Sequence, residues 1–260
     1  MLLLLRWQAL MVRGNIGHDS CERDRRTSGC GRLKNRVMGE RTRNAYEAWA
    51  AAYDAAQNPH LLLEHDTVLA LVEPRSQDHI LDAACGTGRH TMAFHHAGAR
   101  VTGLDFSVGM LTVAAHKCPT VPMVMADLSD VLPFEARSFD KVNCAQALDH
   151  VPELRQPFGE FARILKPGGT VVVSVVHPDM NWEGYVRRDD AQGRFRLRSH
   201  ADFFSHRFCD YFESFDHAGL RLCRLVQLPV GVTIRQYLTP ESYEMVRGRY
   251  QVVVFQLLKA

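Results

Sequence analysis

Hydrophobic and polar positions follow two different periods along this chain. From Thr42 to Ala56 the aromatics Tyr46, Trp49 and Tyr53 recur at spacings of three and four, which puts them on one face of a predicted helix. A second helix is predicted over His60–Val72, rich in leucine and stopped by Pro74. Past Pro74 short apolar runs appear. His79–Ala83, Arg100–Asp105, Val121–Ala126, Phe139–Ala145 and Thr170–Val176 read as strands, the last rich in β-branched residues. Between them lie helical stretches: Arg89–Ala97 ending at Gly98, Val108–Lys117 behind the capping residue Ser107, and Pro152–Leu165 stopped by Pro167-Gly168-Gly169. Strand and helix in alternation predict a parallel sheet covered on both faces. The pattern lapses from Pro178 to about Asp216, a charged and aromatic stretch. It resumes with a short helix over Phe212–Ala218 and two strands, Leu220–Leu228 and Gln251–Leu258.

The first residues follow neither period. Met1–Val12 is apolar but interrupted by Arg6 and Gln8, is too short to span a bilayer, and lacks the order of regions of a signal peptide. Asn15–Lys34 is polar and arginine-rich. Residues 1–37 are therefore expected to be a disordered extension, with Met38 a candidate start of translation. Residues 38–260 are expected to form one domain with a lid-like insertion at about 177–217.

Composition narrows the function classes. The chain is 46% apolar and 23% charged, with a net charge of +2. That balance argues against nucleic acid or an anionic membrane as the main partner. The seven cysteines include no CxxC pair and no zinc-like spacing with histidine, so no metal is expected. Their odd number argues against a disulfide framework and for a reducing, cytoplasmic setting.

The chemistry concentrates at strand ends. Ile80–Arg89 (ILDAACGTGR) runs from a strand through Gly86 and Gly88 into a helix, a turn in which glycine tolerates unusual backbone angles and lets a ligand approach the main chain. Asp105 ends the next strand, where a carboxylate can accept bonds from two ribose hydroxyls, and Asp127 follows the third, where one could accept from an exocyclic adenine amine. Acids at three successive strand ends suit a cationic ligand better than a pyrophosphate.

These stretches, LDAACGTG (81–88), VTGLDFS (101–107), MADLSDVLPF (125–134), SFDKVNCAQALDHV (138–151) and LKPGG (165–169), resemble the class I S-adenosylmethionine (SAM)-dependent methyltransferases that act on small molecules. The resemblance implies a Rossmann-like, seven-stranded, mostly parallel α/β sheet with helices on both faces and the last strand antiparallel. It implies SAM as cofactor, with Asp82, Ala84, Gly86 and Gly88 along its methionine part and Arg89 near its carboxylate. Asp105 would hold the ribose, Phe106 would flank the adenine, and Asp127 and Leu128 would read its edge. Ala145 and Gln146 would close over the sulfonium, and Tyr53 would cover the cofactor from the N-terminal helix. Ala84 stands where the family more often has glycine.

Methyl transfer to an oxygen or nitrogen of a small organic acceptor is the expected reaction, ahead of transfer to carbon. A general base would assist it, and His150 and His177, each just past a strand, are the candidates. The aromatics and arginines of 177–217 could receive the acceptor, or could form a surface insertion at a homodimer contact. A dinucleotide oxidoreductase would want a third glycine that Arg89-His90-Thr91 does not supply. A non-catalytic SAM-binding or scaffold protein and an RNA methyltransferase remain as alternatives.

Overall fold

The computed structural model describes residues 30–55, 58–179, 203–238 and 240–260. Helix α1 (Cys30–Trp49) passes directly into a 3-10 helix (Ala50–Ala55). It begins inside the stretch read as an extension, so residues 30–37 are helical; residues 1–29 lie outside the described residues. Helix α2 (Pro59–Val72) starts with proline in its first turn and the Asn58 side chain accepting from the His60 N–H.

Seven strands follow: β1 (His79–Ala83), β2 (Arg100–Asp105), β3 (Met123–Met125), β4 (Phe139–Ala145), β5 (Leu165–Val176), β6 (Leu220–Pro229) and β7 (Tyr250–Lys259). They form one sheet in the order β3-β2-β1-β4-β5-β7-β6. β1 pairs in parallel with β2 and β4, and β4 with β5, whereas β7 runs antiparallel to both β5 and β6. This is the expected sheet. Helices α3 (Arg89–His96), α4 (Val108–Lys117) and α5 (Arg155–Ile164) make the crossovers, and α6 (Phe208–His217) precedes β6.

Successive strand residues point to opposite faces, which splits the core in two. Ile80, Val101, Val172, Val252 and Val254 pack against Val68 and Leu71 of α2 and Phe94 of α3. Leu81, Val142, Val171, Val173, Val253 and Phe255 pack on the other face against Phe158 and Phe161 of α5 and Tyr211 and Phe215 of α6. Between β6 and β7 the chain makes a 3-10 helix (Val232–Tyr237) and α7 (Pro240–Val246), held by Val230, Ile234, Tyr243 and Val246. Sequence periodicity did not foresee this unit, because neither helix is long enough to repeat a pattern. Among the described residues no helix is long and apolar enough to cross a membrane.

The strand order reverses between β1 and β4, each of which sends its crossover outward to a different side. Open α/β sheets bind ligands in the crevice at such a switch point.

Candidate functional site

A cavity of about 1120 Å³ opens at the carboxyl ends of β1, β2 and β4. Ala84, Asp105, Phe106, Asp127, Leu128, Ala145, Gln146, Tyr53 and His150 line it. Two non-glycine residues at its floor, Ala84 and Gln146, hold left-handed backbone angles (φ 57° and 53°). They follow β1 and β4, the two strands that flank the switch point. Such angles cost energy and persist where the surroundings enforce them, often at functional sites. Gln146 is pinned by its N–H to the Ser174 carbonyl at 2.8 Å, which ties the turn after β4 to β5.

Asp105 is almost fully buried. One oxygen accepts from the Gly86 N–H and the other from the Ser107 N–H, both at 2.9 Å. Burial nevertheless pushes its carboxyl up to about 6. Each carboxylate oxygen has two lone-pair sites, so acceptor capacity remains for a donor from the cavity. Gly86, at φ 55°, has nothing within 4 Å of where a Cβ would sit, so its backbone stands open to a ligand. Gly88 is different: at φ 85° a Cβ there would lie 3.1 Å from the Ala114 Cβ, so this glycine lets α4 pack against the start of α3. The floor thus fits a ligand with paired hydroxyls against Asp105 and a flat ring against Phe106 and Asp127.

Three expected cofactor contacts are turned elsewhere. Asp82 accepts from Thr91 Oγ1 at 2.6 Å and from Asn143 Nδ2 at 2.8 Å, inside the core, and joins β1 to α3 and β4. Gly88 serves helix packing. Arg89 binds the buried carboxylate of Glu64 and donates to the Leu61 carbonyl at 3.1 Å, which joins α3 to α2. Glu64 also accepts from Ser174 Oγ. A buried carboxylate is costly unless paired, and here a guanidinium and a hydroxyl satisfy it.

The two candidate bases part company. His150, in the 3-10 turn Leu148–His150 after β4, lines the cavity. His177, just past β5, does not. It is 4% exposed, its Nε2 lies 2.7 Å from Gln227 Oε1 on β6, and its N–H donates to the Gln251 carbonyl on β7. β7 and β6 close over the end of β5, so the position expected to face a ligand faces the protein.

Helix α1 supplies residues that sequence reading missed. Gly39, Glu40, Thr42, Arg43 and Tyr46 all line the cavity. Arg43 lies over the Phe106 ring at 5.8 Å and 3.4 Å from Asp127 Oδ2, and Glu47 accepts from Ser107 Oγ and the Gly109 N–H at the start of α4. The Tyr46–Trp49–Tyr53 stripe was legible as one helical face. It reads as core until the tertiary structure shows what it covers. From the segment 177–217, Phe204 lines the cavity and its N–H donates to the Asp149 carbonyl at 2.7 Å, while Tyr211 is buried in α6. Residues 180–202 of that segment lie outside the described residues. Among the described residues no group of histidine, cysteine and carboxylate could hold a metal.

Known proteins resemble this chain in sequence and fold. Residues 81–173 match the family described as methyltransferase domain. A demethylmenaquinone methyltransferase of Clavibacter sepedonicus is 42% identical over 105 residues, covering 39% of this chain and 42% of that protein. One of Staphylococcus epidermidis is 31% identical over 148 residues, covering 54% and 61%. The chain thus spans about half the length of the curated relatives it matches. Among solved structures, an S-adenosylmethionine dependent methyltransferase of Mesorhizobium loti superposes with a TM-score of 0.63 at 23% identity, covering 76% of this chain and 98% of that one. A geranyl diphosphate C-methyltransferase of Streptomyces coelicolor, solved with S-adenosyl-L-homocysteine, superposes at 0.56 with 20% identity, covering 76% and 80%.

Proposed function

We infer that this chain, which carries a class I SAM-dependent methyltransferase domain over residues 81–173, transfers the methyl group of SAM to a small organic acceptor bound in the cavity. The observation that carries the reading is the convergence of Asp105, Phe106 and Asp127 on one cavity at the switch point of the sheet, with the Gly86 N–H bonded to Asp105. Asp105 accepts the ribose hydroxyls and Asp127 the adenine amine, while Ala145 and Gln146 border the methyl end. Bound SAM supplies a methyl group on a positively charged sulfur, which leaves as a neutral thioether.

The protein's share of the work is then to hold the acceptor in line and keep water out. An acceptor hydroxyl becomes nucleophilic as it loses its proton, while a neutral amine attacks through its lone pair and sheds a proton once methylated; His150 at the cavity wall takes that proton in either case. A carbon made nucleophilic by a neighbouring ionised hydroxyl would use the same base, so product analysis decides the methylated atom. Oxygen or nitrogen is the expectation here. Tyr46, Val151, Pro152 and Phe204 give the acceptor end an apolar, aromatic wall that suits a planar molecule.

Titration calorimetry with SAM and with NAD tests the cofactor, and binding of NAD without SAM would overturn the reading. Transfer of radiolabelled methyl from SAM to a panel of hydroxylated aromatics tests the reaction. A short-chain demethylmenaquinone reduced to its quinol belongs in that panel, because the curated relatives carry that name.

A further inference from the structure

Tyr46 stands where helix α1 meets the turn after β4. Its hydroxyl lies 2.7 Å from His150 Nε2, and the two rings meet edge to face at 5.3 Å. Phe203 packs on the imidazole at 4.6 Å. Among the contacts that hold the ring of His150 are these two aromatic neighbours and a side-chain hydrogen bond to α1. The other candidate base, His177, is held by Gln227 within the sheet.

Tyr46 itself is no base. Burial holds its hydroxyl well above the ordinary phenol range, and Tyr53, Asp105 and Asp149 nearby push in the same direction. The group stays a neutral hydroxyl throughout the working range of the protein. A hydroxyl can donate to an imidazole nitrogen or accept from it, and the partner of one ring nitrogen settles which nitrogen carries the proton.

The position of Tyr46 is itself fixed by packing. Glu47, the next residue, accepts from Ser107 Oγ at 2.7 Å and from the Gly109 N–H at 2.9 Å. A Cβ on Gly109 would come 3.0 Å from the Glu47 carboxylate, so the glycine leaves room for α1 to sit down on α4. Asp54, at the end of the following 3-10 helix, accepts from Thr87 Oγ1 in the glycine turn at 2.7 Å. The segment from Tyr46 to Asp54 thus touches the glycine turn at Thr87, the start of α4 at Ser107 and the candidate base at His150.

We propose that Tyr46 is the positioning residue for His150: through Nε2 its hydroxyl fixes the tautomer and the aim of the imidazole at the acceptor end of the cavity. The proposal rests on the reading of His150 as the proton acceptor. It adds that the base is assembled by α1 rather than by the strand end that carries it.

The test observes the histidine ring and needs no acceptor. Ring nitrogen resonances of the full-length, 15N-labelled chain are followed from pH 5 to 9, free and with S-adenosylhomocysteine, and His150→Gln identifies the signal by its loss. In the wild-type protein His150 should show the shift pattern of a single tautomer. In Tyr46→Phe, which keeps the ring, it should show an averaged pattern and a titration midpoint displaced by about half a pH unit or more. The other histidine signals should stay in place, which reports an intact fold. Identical His150 shifts and midpoint in the two proteins would overturn the proposal. Should Tyr46→Phe fail to fold, replacing tyrosine biosynthetically with 3-fluorotyrosine changes the hydrogen-bonding strength of the hydroxyl at nearly the same shape, whichever partner carries the proton; unchanged His150 signals would again overturn it. Absence of methyl transfer or of SAM binding would instead sink the function proposed above, and would leave the ring measurement standing.

Discussion

The two halves of the sheet have the same kind of strand and opposite kinds of strand end. In β1, β2 and β4 the carboxyl ends open into the cavity with Ala84, Asp105, Ala145 and Gln146 on its wall. In β5 the end is closed: β7 pairs alongside it, Gln251 and Gln227 take up His177, and no residue of β5 lines the cavity. His150 and His177 both follow strands of the sheet, the first five residues past β4 and the second directly past β5. What separates them is the antiparallel β7 inserted beside β5. A strand end is a functional position only where the topology leaves it uncovered, which in this fold is the switch point between β1 and β4.

Substitutions should divide along the same line. Those in the open half should cost binding or turnover and little stability, and those in the closed half the reverse. The largest effect is expected at Asp105→Ala. It removes a charged acceptor for two hydroxyls, each bond worth about 1.5–3 kcal/mol, so SAM affinity measured by calorimetry should fall by about 100-fold or more. A wild-type titration would place the ribose elsewhere. His150→Ala should slow methyl transfer by about 10²–10⁴-fold with SAM affinity nearly unchanged. His177→Ala should instead lower the melting temperature, by about 1–3 kcal/mol of stability from a lost buried hydrogen bond and a small void, while turnover stays near wild type. If the two histidine variants exchanged phenotypes, the contrast between the halves would fail.

Two pH effects sharpen the comparison. Asp105 has its carboxyl raised to about 6, so it is ionised above that pH and protonated below it. SAM affinity should therefore weaken as pH falls through about 6. Asp149 is buried behind the cavity, and burial alone raises its carboxyl to about 7 against one bond from the Val176 N–H at 3.3 Å. A folded value above the unfolded one means that the folded state binds more protons between about 4 and 7, so stability falls as pH rises across that window. Asp149→Asn keeps an acceptor for the Val176 N–H and removes the charge. It should raise the melting temperature at pH 8 by about 2–4 °C for each kcal/mol regained, and change it little at pH 4. Equal shifts at both pH values would show that the buried charge is not what Asp149 costs the fold.

Much of this was legible in the residues. Alternating periods gave five parallel strands and their crossovers, with Arg100–Asp105 and Val108–Lys117 recovered as read, whereas the strand read as Thr170–Val176 begins at Leu165 and takes in Pro167-Gly168-Gly169, read as a helix stop. The strand ends named Asp105, Phe106, Asp127, Leu128, Ala145 and Gln146, all of which reach the cavity. These features are local: a strand, a glycine turn and an acid at a fixed distance are written in neighbouring residues. Less was legible where contacts between distant residues decide. Asp82 and Arg89 lie within the motif, yet Asn143, Thr91 and Glu64 draw them into the core, because a buried charge takes whichever partner the fold brings to it.

By itself the sequence determined that a parallel sheet would form, that its first turn would be open at Gly86, and that acids would stand at the ends of its first strands, since backbone periodicity and glycine geometry need no distant partner. Only the tertiary structure decided which histidine meets the cavity and what holds it there. His150 and His177 look alike along the chain. The insertion of β7 buries one, and helix α1, about 100 residues earlier, sets Tyr46 2.7 Å from the other. Long-range packing chooses among residues that local sequence leaves equivalent.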